Sequence, residues 1–157
     1  PRKVGKIRID GIKVHGVGDI LVHFSKCCNP VPGDEIIGFI TRGKGVAIHR
    51  MDCSNVGGGA VHSDRIVEVE WDVKEERVRP VRISVLTTNR PGILANISTR
   101  ISSENINISA ADIRTRRDGR SICIFELEIR TRQDLDRILH AISQIKEVLE
   151  VKRVTGS

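Results

Sequence analysis

Tyrosine is absent from this 157-residue chain, tryptophan occurs once and phenylalanine three times. That shortage removes the aromatic platforms on which many single-strand RNA readers stack bases. No apolar run approaches the ~20 residues that a membrane-spanning helix needs, so no contact with a membrane is expected. A basic start, an apolar core and a small-residue cleavage site are also lacking, from which we expect a reducing, cytoplasmic setting. The chain opens on Pro1 instead of methionine, which reads as a piece of a longer protein. Hydrophobic residues still make up 39%, too many for a disordered chain and enough for packed cores. The length suits one ordinary domain or two small ones.

Charge is unevenly spread. Residues 1–78 hold 12 basic and 11 acidic side chains, whereas residues 79–157 hold 14 and 9, and 12 of those 14 are arginines. The second half therefore carries most of the basic excess, in the side chain whose planar fork suits phosphate and carboxylate. An anionic surface is one partner this implies, and an ordinary solvated face is the other reading.

The boundary between two domains is expected at residues 72–79, where six charges in eight residues precede Pro80 and offer no apolar face to bury. Before it, short apolar runs at 7–9, 20–24, 35–41, 46–49 and 65–71 alternate with glycine and proline punctuation, the pattern of short strands joined by turns. The run Gly57-Gly58-Gly59 is incompatible with a stable helix at ~1 kcal/mol per glycine, so a loop or a frayed end is expected there. After the boundary, residues 81–88 alternate apolar and polar positions, a half-buried strand. Asn89-Arg90-Pro91-Gly92 predicts a helix start, with Asn89 as cap and Pro91 in the first turn. Leu94, Ile97 and Ile101 follow at helical spacing. Residues 106–114 and 121–130 read as strands joined through Asp118-Gly119, a hairpin signal. Thr131-Arg132-Gln133-Asp134 reads as a helix cap, followed by an apolar stripe of Leu135, Ile138, Leu139, Ile142 and Ile145. Residues 148–154 close as a strand. The order strand, helix, strand, strand, helix, strand predicts a ferredoxin-like βαββαβ sandwich.

Three of the four cysteines share a pattern with one histidine: Cys27-Cys28, then His49-Arg50-Met51-Asp52-Cys53. Cys3His satisfies zinc's tetrahedral preference without leaving a water vertex, which describes a structural site. The first domain has few large apolar residues, so a metal would supply part of its folding energy. Other readings remain open at this point. Disulfides fit an oxidising compartment better, and a Cys27–Cys28 bridge is strained. A catalytic thiol needs an orienting base that nothing else here supplies. The spacing matches no common finger consensus. His23 lies four residues before Cys27 and could replace one ligand, although it reads as a surface or edge histidine. Cys123 shares a strand face with Phe125, Leu127 and Ile129 and reads as core.

The residues from Phe24 through Phe39, with Cys27-Cys28-Asn29-Pro30 and Pro32-Gly33-Asp34, resemble the conserved-cysteine (zinc-finger) domain of long Rel/SpoT-type enzymes, which make and hydrolyse (p)ppGpp. Thr41-Arg42-Gly43-Lys44-Gly45-Val46 and the His49–Cys53 run extend the likeness. The second half, with Asn89-Arg90-Pro91-Gly92-Ile93-Leu94 after its first strand, resembles the ACT domain that ends those proteins. The resemblance implies an α+β chain with a β-rich zinc-binding domain over residues 1–75 and an ACT domain over 76–157. It implies structural zinc on Cys27, Cys28, His49 and Cys53. His23 and the triple glycine fall outside the family pattern.

No catalytic motif of the family is present in these residues, so the fragment is expected to be regulatory and no enzyme by itself, acting on upstream catalytic domains. Three kinds of partner are implied by the resemblance. The ribosome, through ribosomal RNA and possible tRNA contact, would meet Arg42, Lys44, Arg114, Arg116, Arg117 and Arg120. A branched-chain amino acid would bind at Asn89, Arg90, Pro91, Gly92, Ile93 and Leu94, where a helix start favours a carboxylate. A second copy of the chain would form a homodimer, with Ile122 and Ile124 on the strand face opposite Phe125 available to a partner or to the first domain.

Overall fold

The computed structural model describes residues 7–9, 11–15, 21–43, 45–56, 65–72 and 77–154. Gly57-Gly58-Gly59, Lys44, Ile20 and residues 73–76 of the charged boundary stretch lie outside the described residues. The chain divides into two compact units, with the break between Arg77 and Val78.

In the first unit, strands β1 (Ile7–Ile9), β2 (Ile12–Val14) and β7 (Val69–Trp71) form one antiparallel sheet in the order β1-β2-β7. Strands β3 (Leu21–Phe24), β5 (Gly45–Arg50), β4 (Ile36–Ile40) and β6 (Ile66–Val67) form a second, in that order. The β3–β5 pair is parallel, with Phe24 opposite Ile48, and β4 runs antiparallel to both β5 and β6. Ile12, Val14, Val22, Val46, Ile48, Val67 and Val69 make a small core drawn from both sheets. A Cβ on Gly38 would lie 2.9 Å from Val69 Cγ1 and 3.0 Å from Val46 Cγ1, so the sheets approach too closely there for any side chain.

Two sequence expectations are corrected here. The strand expected at 65–71 breaks at Glu68, so that β6 joins one sheet and β7 the other. The alternation of buried Val67 and Val69 continues across the break, and the Glu68 carbonyl accepts the His15 N–H at 3.1 Å, one step beyond the Val14–Val69 pair of β2 and β7. Strand β2 was missed altogether. Its three residues are too few for a pattern, although Ile12 and Val14 are fully buried.

The second unit has the expected order: β8 (Arg79–Thr88), α1 (Ile93–Ser103), β9 (Ile108–Thr115), β10 (Arg120–Ile129), α2 (Arg132–Ser143) and β11 (Val148–Arg153). The sheet order β11-β8-β10-β9, antiparallel throughout, is that of a ferredoxin-like sandwich. Across β8 and β10, Val81, Ile83 and Val85 stand opposite Leu127, Phe125 and Cys123, all buried on one face. Ile97, Ile101, Leu135, Ile138 and Ile142 from the two helices are buried as well. Cys123 is core, as expected. Ile122 and Ile124 point the other way and are half-buried. Arg79, read in the sequence as part of the solvated boundary, starts β8 and is buried.

The start of α1 differs from expectation. Asn89 does not cap the helix, and Pro91 precedes its first turn. The chain first makes a turn, with Arg90 N–H donating to Thr88 O (3.1 Å) and Ile93 N–H to Arg90 O (3.3 Å). Gly92 then occupies the cap at φ +82°, which glycine alone adopts without strain, and no side chain caps the helix. Ile93, Ile97 and Ile101 form the buried face, leaving Leu94 37% exposed. The second helix obeys its cap signal: Thr131 Oγ1 accepts the Asp134 N–H at 3.1 Å. The Asp118-Gly119 hairpin is present too, with Gly119 at φ +84° and Arg116 N–H donating to Arg120 O at 2.7 Å.

Candidate metal centre

Because β3 and β5 are parallel, the loops after them leave from the same end of the sheet. Beyond β3, Ser25 N–H donates to Ile48 O (3.0 Å), prolonging the pairing by one step. The chain then turns, with Asn29 N–H donating to Ser25 O (2.9 Å) and Asn29 at φ 44°. This turn carries Cys27 and Cys28. Beyond β5, Cys53 N–H donates to Arg50 O (3.0 Å), and that turn carries Cys53 opposite His49 on the strand itself. The loop after the paired cysteines is held by Asp34, whose Oδ2 accepts Val31 N–H at 2.8 Å and whose carbonyl accepts Trp71 Nε1–H at 3.0 Å.

The donor atoms of Cys27, Cys28, His49 and Cys53 all lie within 4.8 Å of one another. Cys27 Sγ is 3.5 Å from Cys53 Sγ and 3.9 Å from Cys28 Sγ. His49 Nδ1 is 3.4 Å from Cys27 Sγ and 3.8 Å from Cys28 Sγ. A tetrahedron with metal–sulfur bonds of ~2.3 Å and a metal–nitrogen bond of ~2.05 Å has S–S edges of about 3.8 Å and S–N edges of about 3.6 Å. These four separations fall within about 0.3 Å of those edges. The donor set therefore fits one cation.

Neighbouring groups hold the donors in place. Ser25 Oγ lies 2.9 Å from His49 Nε2. With the ring proton on Nε2, that N–H donates to Ser25 and leaves the Nδ1 lone pair facing the sulfurs. Phe39 packs edge-on against the imidazole, 5.7 Å between centroids. Arg50 N–H donates to Cys28 Sγ at 3.4 Å. Burial, reinforced by the charge of His23, lowers the His49 pKa and favours the neutral ring that binds metal. Burial pushes the Cys28 thiol up to about 12 in the metal-free site. Burial also raises Cys27, but hydrogen bonds from Asn55, Cys53 and Cys28 outweigh it and hold the thiol below its ordinary value.

His23 is exposed on the edge strand β3 and is outside the donor cluster. Ser25 and Asn55 went unremarked in the sequence. Ser25 stands two residues before Cys27, but nothing in that spacing shows that its hydroxyl meets His49, which the β3–β5 pairing brings over.

The other candidate residues are more scattered. Arg90, Pro91, Gly92 and Ile93 line a hollow of about 280 Å³ together with Asn96 and Glu147, which the sequence did not suggest. Asn89 and Leu94 are not among its lining residues. Arg114, Arg116, Arg117 and Arg120 are all exposed on or beside the β9–β10 hairpin. Arg114 pairs with Asp112 at 3.2 Å, and Arg116 and Arg120 each lie 4.0 Å from Asp118. Arg42 is exposed on the β4–β5 turn.

The chain matches two known domains, the RelA/SpoT RIS domain over residues 12–72 and an ACT domain over residues 75–153. It is 42% identical over 153 residues to a GTP pyrophosphokinase of Myxococcus xanthus, covering 98% of this chain and 20% of that protein. It is 35% identical over 157 residues to the bifunctional (p)ppGpp synthase/hydrolase RelA of Mycobacterium tuberculosis, covering 100% of this chain and 21% of that protein. The chain thus spans about a fifth of the length of these curated relatives. Among solved structures, the ACT domain from GTP pyrophosphokinase of Chlorobium tepidum is similar at 19% identity and a TM-score of 0.42, covering 47% of this chain and 95% of that one. Among the described residues, no helix is long and apolar enough to cross a membrane. The chain belongs to the RelA/SpoT family, as a C-terminal region in which a RIS domain precedes an ACT domain.

Proposed function

We propose that this region regulates the (p)ppGpp synthesis and hydrolysis of a longer protein and performs neither reaction itself. One observation carries the reading: within the RIS match, four soft donors converge on a single tetrahedral position at the end of a parallel strand pair. Three thiolates and a neutral imidazole close that shell, so the ion is zinc in a structural role. It fixes two loops that would otherwise rest on a small, valine-rich core. The module so held presents a basic surface to the ribosome and reports the state of its tRNA to the upstream catalytic domains. The β9–β10 arginines would meet ribosomal RNA through phosphate, with no base stacking. A second copy of the chain is a further partner, through the open face that carries Ile122 and Ile124.

Two measurements test the reading. Elemental analysis of protein purified without added metal should find zinc in stoichiometric amount, and its absence refutes the structural role. Charge reversal of Arg116 and Arg117 should weaken binding to ribosomes carrying uncharged tRNA and reduce its salt dependence; binding left intact removes the hairpin as the docking surface.

The hollow beside α1 favours a second reading, an amino-acid sensor. The uncapped helix start at Gly92 suits a carboxylate, and Glu147 across the hollow suits an ammonium group. Calorimetry with valine, leucine and isoleucine decides it, since no heat at millimolar ligand rejects the site.

A further inference from the structure

Cys27, Cys28 and Cys53 are alike as donors but unlike as surfaces. Cys28 and Cys53 are only 1% and 3% exposed, whereas Cys27 is half-buried and reaches solvent. Among these sulfurs, Cys27 is the one that a small solute meets first. Its Sγ is 3.5 Å from Cys53 Sγ, and closing a disulfide of ~2.05 Å requires an approach of about 1.5 Å. Both residues lie in turns outside the strand ladders, where side-chain rotation and small backbone shifts supply such movement. Cys28 is a poorer partner. It is adjacent in sequence to Cys27, so their bridge would close a strained ring, and Arg50 N–H tethers its sulfur at 3.4 Å.

We propose that Cys27 is a modification site for hydroperoxides and that Cys53 resolves it to a disulfide, releasing the bound cation. The cation in this inference rests on the metal reading above; the sulfur chemistry does not. The Cys27 sulfur attacks a peroxide oxygen, so that an S–O bond forms and the O–O bond breaks. The departing hydroxide or alkoxide takes a proton from solvent. Cys27 is thereby oxidised by two electrons to a sulfenic acid, and the peroxide is reduced to water or an alcohol. The Cys53 sulfur then attacks the Cys27 sulfur. The S–S bond forms, the S–O bond breaks, and hydroxide leaves as water on taking a proton. Two anionic ligands are lost, and Cys28 with His49 cannot complete a tetrahedral shell. A thiol reductant reverses the step and restores the site.

The test treats the zinc-loaded 157-residue chain with hydrogen peroxide. Released zinc is followed with a chromogenic chelator, and cysteine states are followed by alkylation and peptide mapping. Zinc release should rise in step with one linked peptide pair, Cys27–Cys53, while Cys28 and the buried Cys123 remain alkylatable. Dithiothreitol with added zinc should reverse both changes. In the Cys53→Ser variant, dimedone should label Cys27 with no cross-link. Should that variant load poorly, mapping of the unaltered chain decides. Zinc retained through the treatment, or first oxidation at Cys28 or Cys53, overturns the inference. A chain without zinc before peroxide refutes the metal reading instead, and the linked peptide still decides the sulfur chemistry.

Discussion

Stripping the metal should unfold the first unit and spare the second, and the structure supplies a separate probe for each. Four of the donor separations lie within about 0.3 Å of ideal tetrahedral edges, so little of the binding energy is spent on rearranging those donors. Structural zinc in small modules contributes an apparent ~10–16 kcal/mol, against ~5–15 kcal/mol for the net stability of a typical domain. The core of the first unit is Ile12, Ile48 and five valines, with no fully buried aromatic among the described residues, so its stability without metal falls at the low end of that range. Losing the ion therefore removes an amount comparable to everything that holds the unit folded. Trp71 is the chain's single tryptophan, stacks on Phe24 at 5.7 Å and donates to Asp34 O, the residue that anchors the loop after Cys27 and Cys28. Its emission reports on the first unit. Both described α-helices belong to the second unit, so ellipticity at 222 nm reports on that one. A strong chelator should shift tryptophan emission to the red and abolish its cooperative urea transition while the helix signal keeps its midpoint; excess zinc should reverse the change. Unchanged emission after verified removal of the metal would refute the reasoning, as would simultaneous loss of the helix signal.

Two further outcomes are expected. The Thr131→Ala variant loses the Asp134 N–H cap and should cost the second unit about 1 kcal/mol, seen as a drop of about 4–8 °C in its helix melt. The Gly38→Ala variant forces a methyl group to 2.9 Å from Val69 Cγ1 and 3.0 Å from Val46 Cγ1. It should destabilise the first unit by ~1–3 kcal/mol, measured by tryptophan emission in urea, and leave the helix signal unchanged.

The second unit was legible because its signals are long and local. The alternation of Val81, Ile83 and Val85, the Asp118-Gly119 turn and the Leu135–Ile138–Ile142 stripe each state a period that only one element satisfies. The error at α1 arose where two sound local rules compete. Asn89 is a good cap and Pro91 a good first-turn residue, but Gly92 at positive φ inserts a turn before the helix and moves its buried face from Leu94 to Ile93. The first unit was less legible because its strands are short. Three residues of β2 show no period, and the change of sheet at Glu68 depends on where the backbone bends.

The identity of the donors, their number and their soft chemistry are properties of the sequence, since cysteine and histidine side chains carry them into any fold. Their meeting is not, because Cys27 and Cys53 are 26 positions apart and no local rule pairs them. Only the parallel pairing of β3 with β5 brings both loops to one end of a sheet, and only packing decides which sulfurs are sealed and which one faces water. Parallel strands are joined by crossovers whose register depends on long-range contacts, so that geometry became visible only in the tertiary structure.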